Sequence, residues 1–94
     1  MATATIGNFT ATGNWVDLVA ETTPVDFSGL GSANCFIQNF GPSGVYVWPK
    51  ASGSAPTPER GGIFLKAGDG VRINAAQIWV KNSGEEAVIS GSTL

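Results

Sequence analysis

Glycine and proline punctuate this chain at short intervals, which favours strands and turns over helices. There are 13 glycines and 5 prolines in 94 residues. No eleven-residue stretch free of both carries apolar side chains at the full i, i+3, i+4, i+7 spacing of an amphipathic helix. What lies between the breakers is a series of runs, roughly five to eight residues each, rich in Val, Ile, Phe and Trp, which is a strand pattern. The runs predict strands at 3–9, 15–20, 24–27 (short and weak), 34–40, 45–48, 62–67, 71–75, 77–81 and 87–92, with 45–48 stopping at Pro49. The runs 71–75 and 77–81 are parted only by Ala76, which leaves open one long bent strand. Helix is expected to be almost absent. The fold class expected is all-β: a single small antiparallel β-sandwich or jelly roll of about eight strands, covering 1–94 as one domain.

The connections carry turn chemistry. Gly41-Pro42-Ser43-Gly44 reads as a tight hairpin, and Gly68-Asp69-Gly70 and Asn82-Ser83-Gly84 supply positive φ between apolar runs. The longest connection, 51–61, has two prolines and no large apolar side chain, so it is expected to be exposed and partly extended. A loop of that length in a small domain is a candidate functional segment, and Arg60, beside Glu59 at its end, is a candidate to pair with a partner's carboxylate.

Alternation sorts the strand residues into two faces. One set is aliphatic: Val45 and Val47, Ile63 and Leu65, Val71 and Ile73, Ile78 and Val80, Ala87 and Ile89. The alternate set holds Tyr46 and Trp48, Phe64 and Lys66, Trp79 and Lys81, where an isolated sandwich would place polar residues. Two arrangements stay open. The rings belong to strands buried on both sides, or cap the open ends of a barrel; or Tyr46, Trp48, Phe64 and Trp79 form an exposed patch for a partner, with lysine stems beside them.

Composition removes several functions. Hydrophobic residues make up 43% of the chain and charged residues only 13%, which supports a real core rather than disorder. With five cations, seven anions and a net charge of −2, there is no basic face for a nucleic acid. Histidine is absent, so most acid–base triads and His-based zinc sites are excluded. The adjacent Glu85 and Glu86 would point to opposite faces of a strand, and Asp69 is one carboxylate where calcium needs several. Cys35 cannot form an internal disulfide and reads as an inert strand thiol. No enzyme, cofactor or metal site is expected. No run approaches a membrane span, and the first residues lack the basic and apolar regions of a secretory signal, so synthesis in a cytoplasm is expected.

Residues 37–89 resemble small structural proteins of tailed bacteriophages. The resemblance rests on Ile37-Gln38-Asn39-Phe40-Gly41-Pro42 followed by Val45-Tyr46-Val47, then Gly62-Ile63-Phe64-Leu65-Lys66-Ala67-Gly68, Ile73, and Ile78-Trp79-Val80 before Asn82-Ser83-Gly84. These motifs are built from turn glycines and strand residues, and the first 33 residues have no counterpart. The resemblance implies a capsid decoration or cement protein on the virion surface, binding the major capsid protein of its own particle as a homo-oligomer, with a trimer favoured. Two alternatives follow: a carbohydrate-binding or adhesin-like domain that stacks its aromatic strand face on sugars, and a head-fibre or tail accessory part.

Overall fold

The apolar runs pair into two antiparallel four-stranded sheets. The computed structural model describes residues 4–23, 25–32, 34–56 and 62–93. In chain order the strands are β1 Ala4–Ala11, β2 Val16–Asp17, β3 Cys35–Pro42, β4 Val45–Lys50, β5 Ile63–Leu65, β6 Gly70–Ile73, β7 Gln77–Asn82 and β8 Ala87–Thr93. The first sheet runs β1-β8-β3-β6 and the second β2-β7-β4-β5. The chain changes sheet at every connection except β4 to β5. First therefore pairs with last, moving inward: β1 with β8, β2 with β7, β3 with β6 and β4 with β5. The β3–β8 and β4–β7 ladders complete the sheets. A long hairpin rolled up in this way is a jelly roll.

The aliphatic alternation lands where its period places it. Val45, Val47, Leu65, Ile73, Ile78, Val80, Ala87 and Ile89 are all buried, joined by Cys35 and Ile37 from β3, while Ile63 and Val71 pack half-buried against them. Each large side chain withdrawn from water contributes about 1.5–3 kcal/mol. Phe27 and Leu30 complete this core from outside the strands, in the connection between β2 and β3. They plug the sandwich over Gly91, where an added Cβ would lie 2.8 Å from Leu30 Cδ1. Gly91→Ala should therefore cost about 1–2 kcal/mol through overpacking, read as a lower urea midpoint at unchanged slope.

Two of the arches that carry the chain between sheets, β3 to β4 and β7 to β8, share one device. Asn39 is fully buried in β3, and its Nδ2 donates to the carbonyls of Ser43 and of Leu65 in the opposite sheet, at 2.8 and 3.0 Å. Its Oδ1 accepts the Gly41 N–H at 2.8 Å. Asn82 repeats the pattern from β7: Nδ2 donates to the Ala11 carbonyl of β1 at 2.9 Å, and Oδ1 accepts the Gly84 N–H at 3.0 Å. Each Asn-x-Gly step thus closes a turn locally and ties the two sheets together. Gly41 takes φ +84°, a conformation glycine adopts without steric cost.

Four local expectations are corrected. Residues 41–44 form an arch between sheets, not a hairpin, because β3 and β4 never pair. Only Val16–Asp17 of the run 15–20 is strand: Asp17 Oδ1 accepts the Val19 N–H at 3.1 Å and turns Leu18–Ala20 into a 3-10 turn. Residues 25–27 of the run 24–27 are not strand; Phe27 serves as the plug instead. Strand β4 passes through Pro49 to Lys50, because Pro49 stands opposite Ile78, whose own N–H turns away to Asp17, so this position of the β4–β7 ladder needs no amide from the proline. The open question about Ala76 is answered by topology: β6 and β7 lie in different sheets.

Candidate functional site

With Val45, Val47, Ile78 and Val80 turned inward, the intervening residues of β4 and β7 must face out. Register then builds a sheet of rings. Trp48 lies opposite Trp79, and Tyr46 lies between Phe64 on one side and Lys81 on the other. The Tyr46 and Phe64 ring centres are 5.1 Å apart and tilted by 48°. Trp15, just before β2, meets Trp48 edge to face at 6.0 Å and 87°. The chain's three tryptophans and its single tyrosine thus share the outer face of the second sheet with Phe64. Phe64 is 47% exposed, while Trp15, Tyr46, Trp48 and Trp79 are half-buried because the rings lean on one another. Gly44 lies against the Phe64 ring with no room for a Cβ.

Of the candidates read from the sequence, Tyr46, Trp48, Phe64 and Trp79 come together here on an outer face, rather than in the core. Arg60 lies outside the described residues. The candidates named from the sequence do not include Trp15, which falls within the expected strand 15–20 but stands just before β2, nor Gln77. Gln77 Oε1 accepts the Trp79 indole N–H at 3.1 Å, and its Nε2 donates to the Gly53 carbonyl at 3.1 Å. Lys50 Nζ donates to the Ser54 carbonyl at 2.7 Å, and Pro56 is buried. The first half of the loop 51–61, exposed at 51–54, is thus tied to the edge of the ring face by polar bonds. The signal was a single amide side chain two residues before a tryptophan on the same strand face.

The face is mostly apolar, with Lys50 and Lys81 among the rings and Asp17 opposite Trp79. Asp17 Oδ1 is engaged by the backbone N–H groups of Val19 and Ile78. A shallow open depression of about 480 Å³ lies beyond the end of the face, lined by Pro49, Lys50, Ala51, Asn74, Ala75 and Ala76, and no ring enters it. Among the described residues no three His, Cys, Asp or Glu side chains converge to hold a metal ion.

Cys35 is fully buried, and burial pushes its thiol above the ordinary value of 9.0. The folded chain then holds the thiol proton more tightly than the unfolded one. The resulting stabilisation is complete below pH 9 and is lost as the pH rises through the elevated folded value. Native protein should resist alkylation by iodoacetamide at pH 8 for hours and react fully in 6 M guanidinium, about as fast as a free thiol. Rapid native labelling would contradict this placement.

Comparison with protein-family models, with curated proteins and with solved structures finds no match to this chain. A jelly roll serves capsid proteins, lectins and enzymes alike, so function has to be argued from the ring face.

Proposed function

We propose that this chain is a non-catalytic structural protein of a virus particle: a decoration or cement protein that binds the assembled shell and stabilises it. It acts as a homo-oligomer, a trimer being favoured, whose subunits join through the ring face while loops at the sandwich ends reach the major capsid protein. The observation that carries this reading is the gathering of every tryptophan and the tyrosine on one outer sheet face. Trp and Tyr dominate interface energetics, and an apolar outer face on a small sandwich is costly to leave in water. A sheet face of this molecule measures at most 34 × 29 Å, just enough for the roughly 800 Å² that each partner contributes to a stable interface. The charge content of 13% supports an interface reading, and the placement on a virus particle rests on the resemblance of residues 37–89 drawn from the sequence alone.

A sugar platform is less well supported. Trp15 and Trp48 cross at 87°, so both cannot lie flat on one planar ligand, and the Trp79 N–H is already spent on Gln77. The test is a mass-spectrometric census of particles made by the genome that carries this gene, followed by add-back. The chain should be present in a fixed ratio to the main shell protein, and shells lacking it should lose heat resistance and regain it on addition. Absence from particles, or failure to bind their shells, would overturn the reading. Placement only at a fibre or tail would replace decoration by the accessory role, and binding to a polysaccharide array would favour the sugar-binding alternative.

A further inference from the structure

Each sheet of the sandwich has two edge strands, and three of the four edges are blunted. Strand β2 is two residues long and contains Asp17; β5 is three residues long and runs straight into Lys66; β6 is four residues long, follows Asp69 and carries the exposed Arg72. Short length and charge are how sheet edges avoid pairing with other chains. Strand β1 has neither. It is eight residues long, and residues 1–16 contain no charged side chain and no proline. A register shift between Thr5 and Gly7 interrupts its start, but Gly7 to Ala11 run in unbroken register with Gly91 to Ala87. In an antiparallel ladder every second residue turns both its N–H and its C=O away from the partner strand. Among the described residues, no backbone bond outside the β8 ladder ends on residues 6–10. The open flank is also held in place. Phe9 meets Phe27 edge to face at 6.2 Å, and the Ala11 and Thr12 carbonyls accept the Nδ2 and the backbone N–H of Asn82. An ordered edge loses little entropy on pairing.

We infer that β1 is an assembly edge: it pairs antiparallel, about a two-fold axis, with β1 of a second copy, and joins two four-stranded sheets into one of eight. The inference goes beyond the ring-face contact and stands or falls separately, since β1 belongs to the other sheet. A second copy fits because an antiparallel edge is self-complementary. A two-fold rotation sets the outward N–H and C=O groups of one copy against the C=O and N–H groups of the other. With no charged side chain on the strand, no register of that pairing buries a charge. A partner that selects by charge finds nothing on this strand to hold. Its exposed side chains, Asn8 and Thr10, are neutral and able to hydrogen-bond across such a pair. A contact along one strand is smaller than a standard interface, so alone it is weak, with a dissociation constant on the order of 1 mM. Copies already held side by side, through the ring face or on a shell, gain the effective concentration that closes it.

Sedimentation equilibrium at up to about 1 mM tests the edge in a chain whose ring face is disabled by Trp79→Glu, with Phe64→Ser as the second background should that chain fold poorly. Monomer and dimer should coexist at the highest concentration. Asn8→Lys with Thr10→Lys should raise the dissociation constant at least about tenfold, and so should Asn8→Glu with Thr10→Glu, because like charges then meet across the pair. An equimolar mixture of the two double variants should bring it back to within about threefold of the parent, as lysine meets glutamate. Circular dichroism on each variant confirms that the fold is kept. A parent that stays monomeric at about 1 mM, a dimer indifferent to both double substitutions, or a mixture no tighter than its components overturns the edge contact and leaves the ring-face reading standing. That reading is tested independently, by whether Trp79→Glu alone weakens assembly at micromolar concentration.

Discussion

Asn39→Ala is expected to remove about 4 kcal/mol of folding stability, the largest effect of any single polar side chain in this molecule. The side chain has no exposed surface and makes three hydrogen bonds, two donated by Nδ2 and one accepted by Oδ1. Alanine leaves the Ser43 and Leu65 carbonyls and the Gly41 N–H without that partner. Each buried polar group so orphaned costs about 1–3 kcal/mol, and water entering the gap offsets part of the sum. A domain of this length has about 5–14 kcal/mol in total, so the variant should be partly unfolded near body temperature. The loss is structural as well as energetic, because the amide spans from β3 to β5 and joins the sheets. Asn82→Ala is the matched comparison: 7% exposed, with two side-chain bonds, it should cost about 2–3 kcal/mol. Urea denaturation measures both. An Asn39→Ala variant within 1 kcal/mol of wild type would mean that the arch is held by the turns alone.

Ring substitutions should act the other way round, weakening association far more than folding. Trp79→Glu or Trp48→Glu is expected to raise the self-association constant for dissociation at least about a hundredfold, the scale of an interface hot spot. The fold should lose only about 1–2 kcal/mol, because these rings sit on the outer face and pack chiefly on one another. Trp79 also loses its bond to Gln77, so some of that loss spreads to the anchored loop at Gly53. Phe64→Ser, at a ring 47% exposed, provides a substitution with still less effect on folding. Sedimentation equilibrium and thermal melts on the same samples separate the two quantities. Equal losses in both, or unchanged association, would remove the ring face as the assembly surface.

How much of this was legible in the sequence depends on the length scale of each signal. Period-two alternation is local and strong in β4, β7 and β8, so Val45, Val47, Ile78, Val80, Ala87 and Ile89 are correctly placed inside, while for the rings on the alternate face it leaves burial and an outer patch both open. Turn residues likewise mark where the chain reverses. They do not say which sheet the next strand joins: residues 41–44 carry hairpin chemistry, yet β4 pairs with β5 and β7 in the other sheet, and the amide of Asn39 crosses to Leu65 of β5. That contact spans 26 residues of sequence, beyond any local pattern. Phe27 and Leu30 lie in a connection without periodicity, and their burial answers a cavity made by Gly91 at the other end of the chain. Trp15 joins the candidate face by meeting Trp48 across strands, again a long-range relation. Lys50 and Gln77 stand opposite each other in register and hold the loop at Ser54 and Gly53, which only the paired strands reveal.

Because all three tryptophans lie on the face assigned to assembly, intrinsic fluorescence reads that face directly. Emission should be followed from about 100 to about 0.1 µM, spanning the range in which a micromolar contact dissociates. The expected result is a red shift on dilution, as half-buried indoles lose their covering, in step with the loss of mass seen by sedimentation. An oligomer that dissociates with no change in tryptophan emission, or a chain already monomeric at the highest concentration, would contradict the assignment of the ring face as the surface on which this protein assembles.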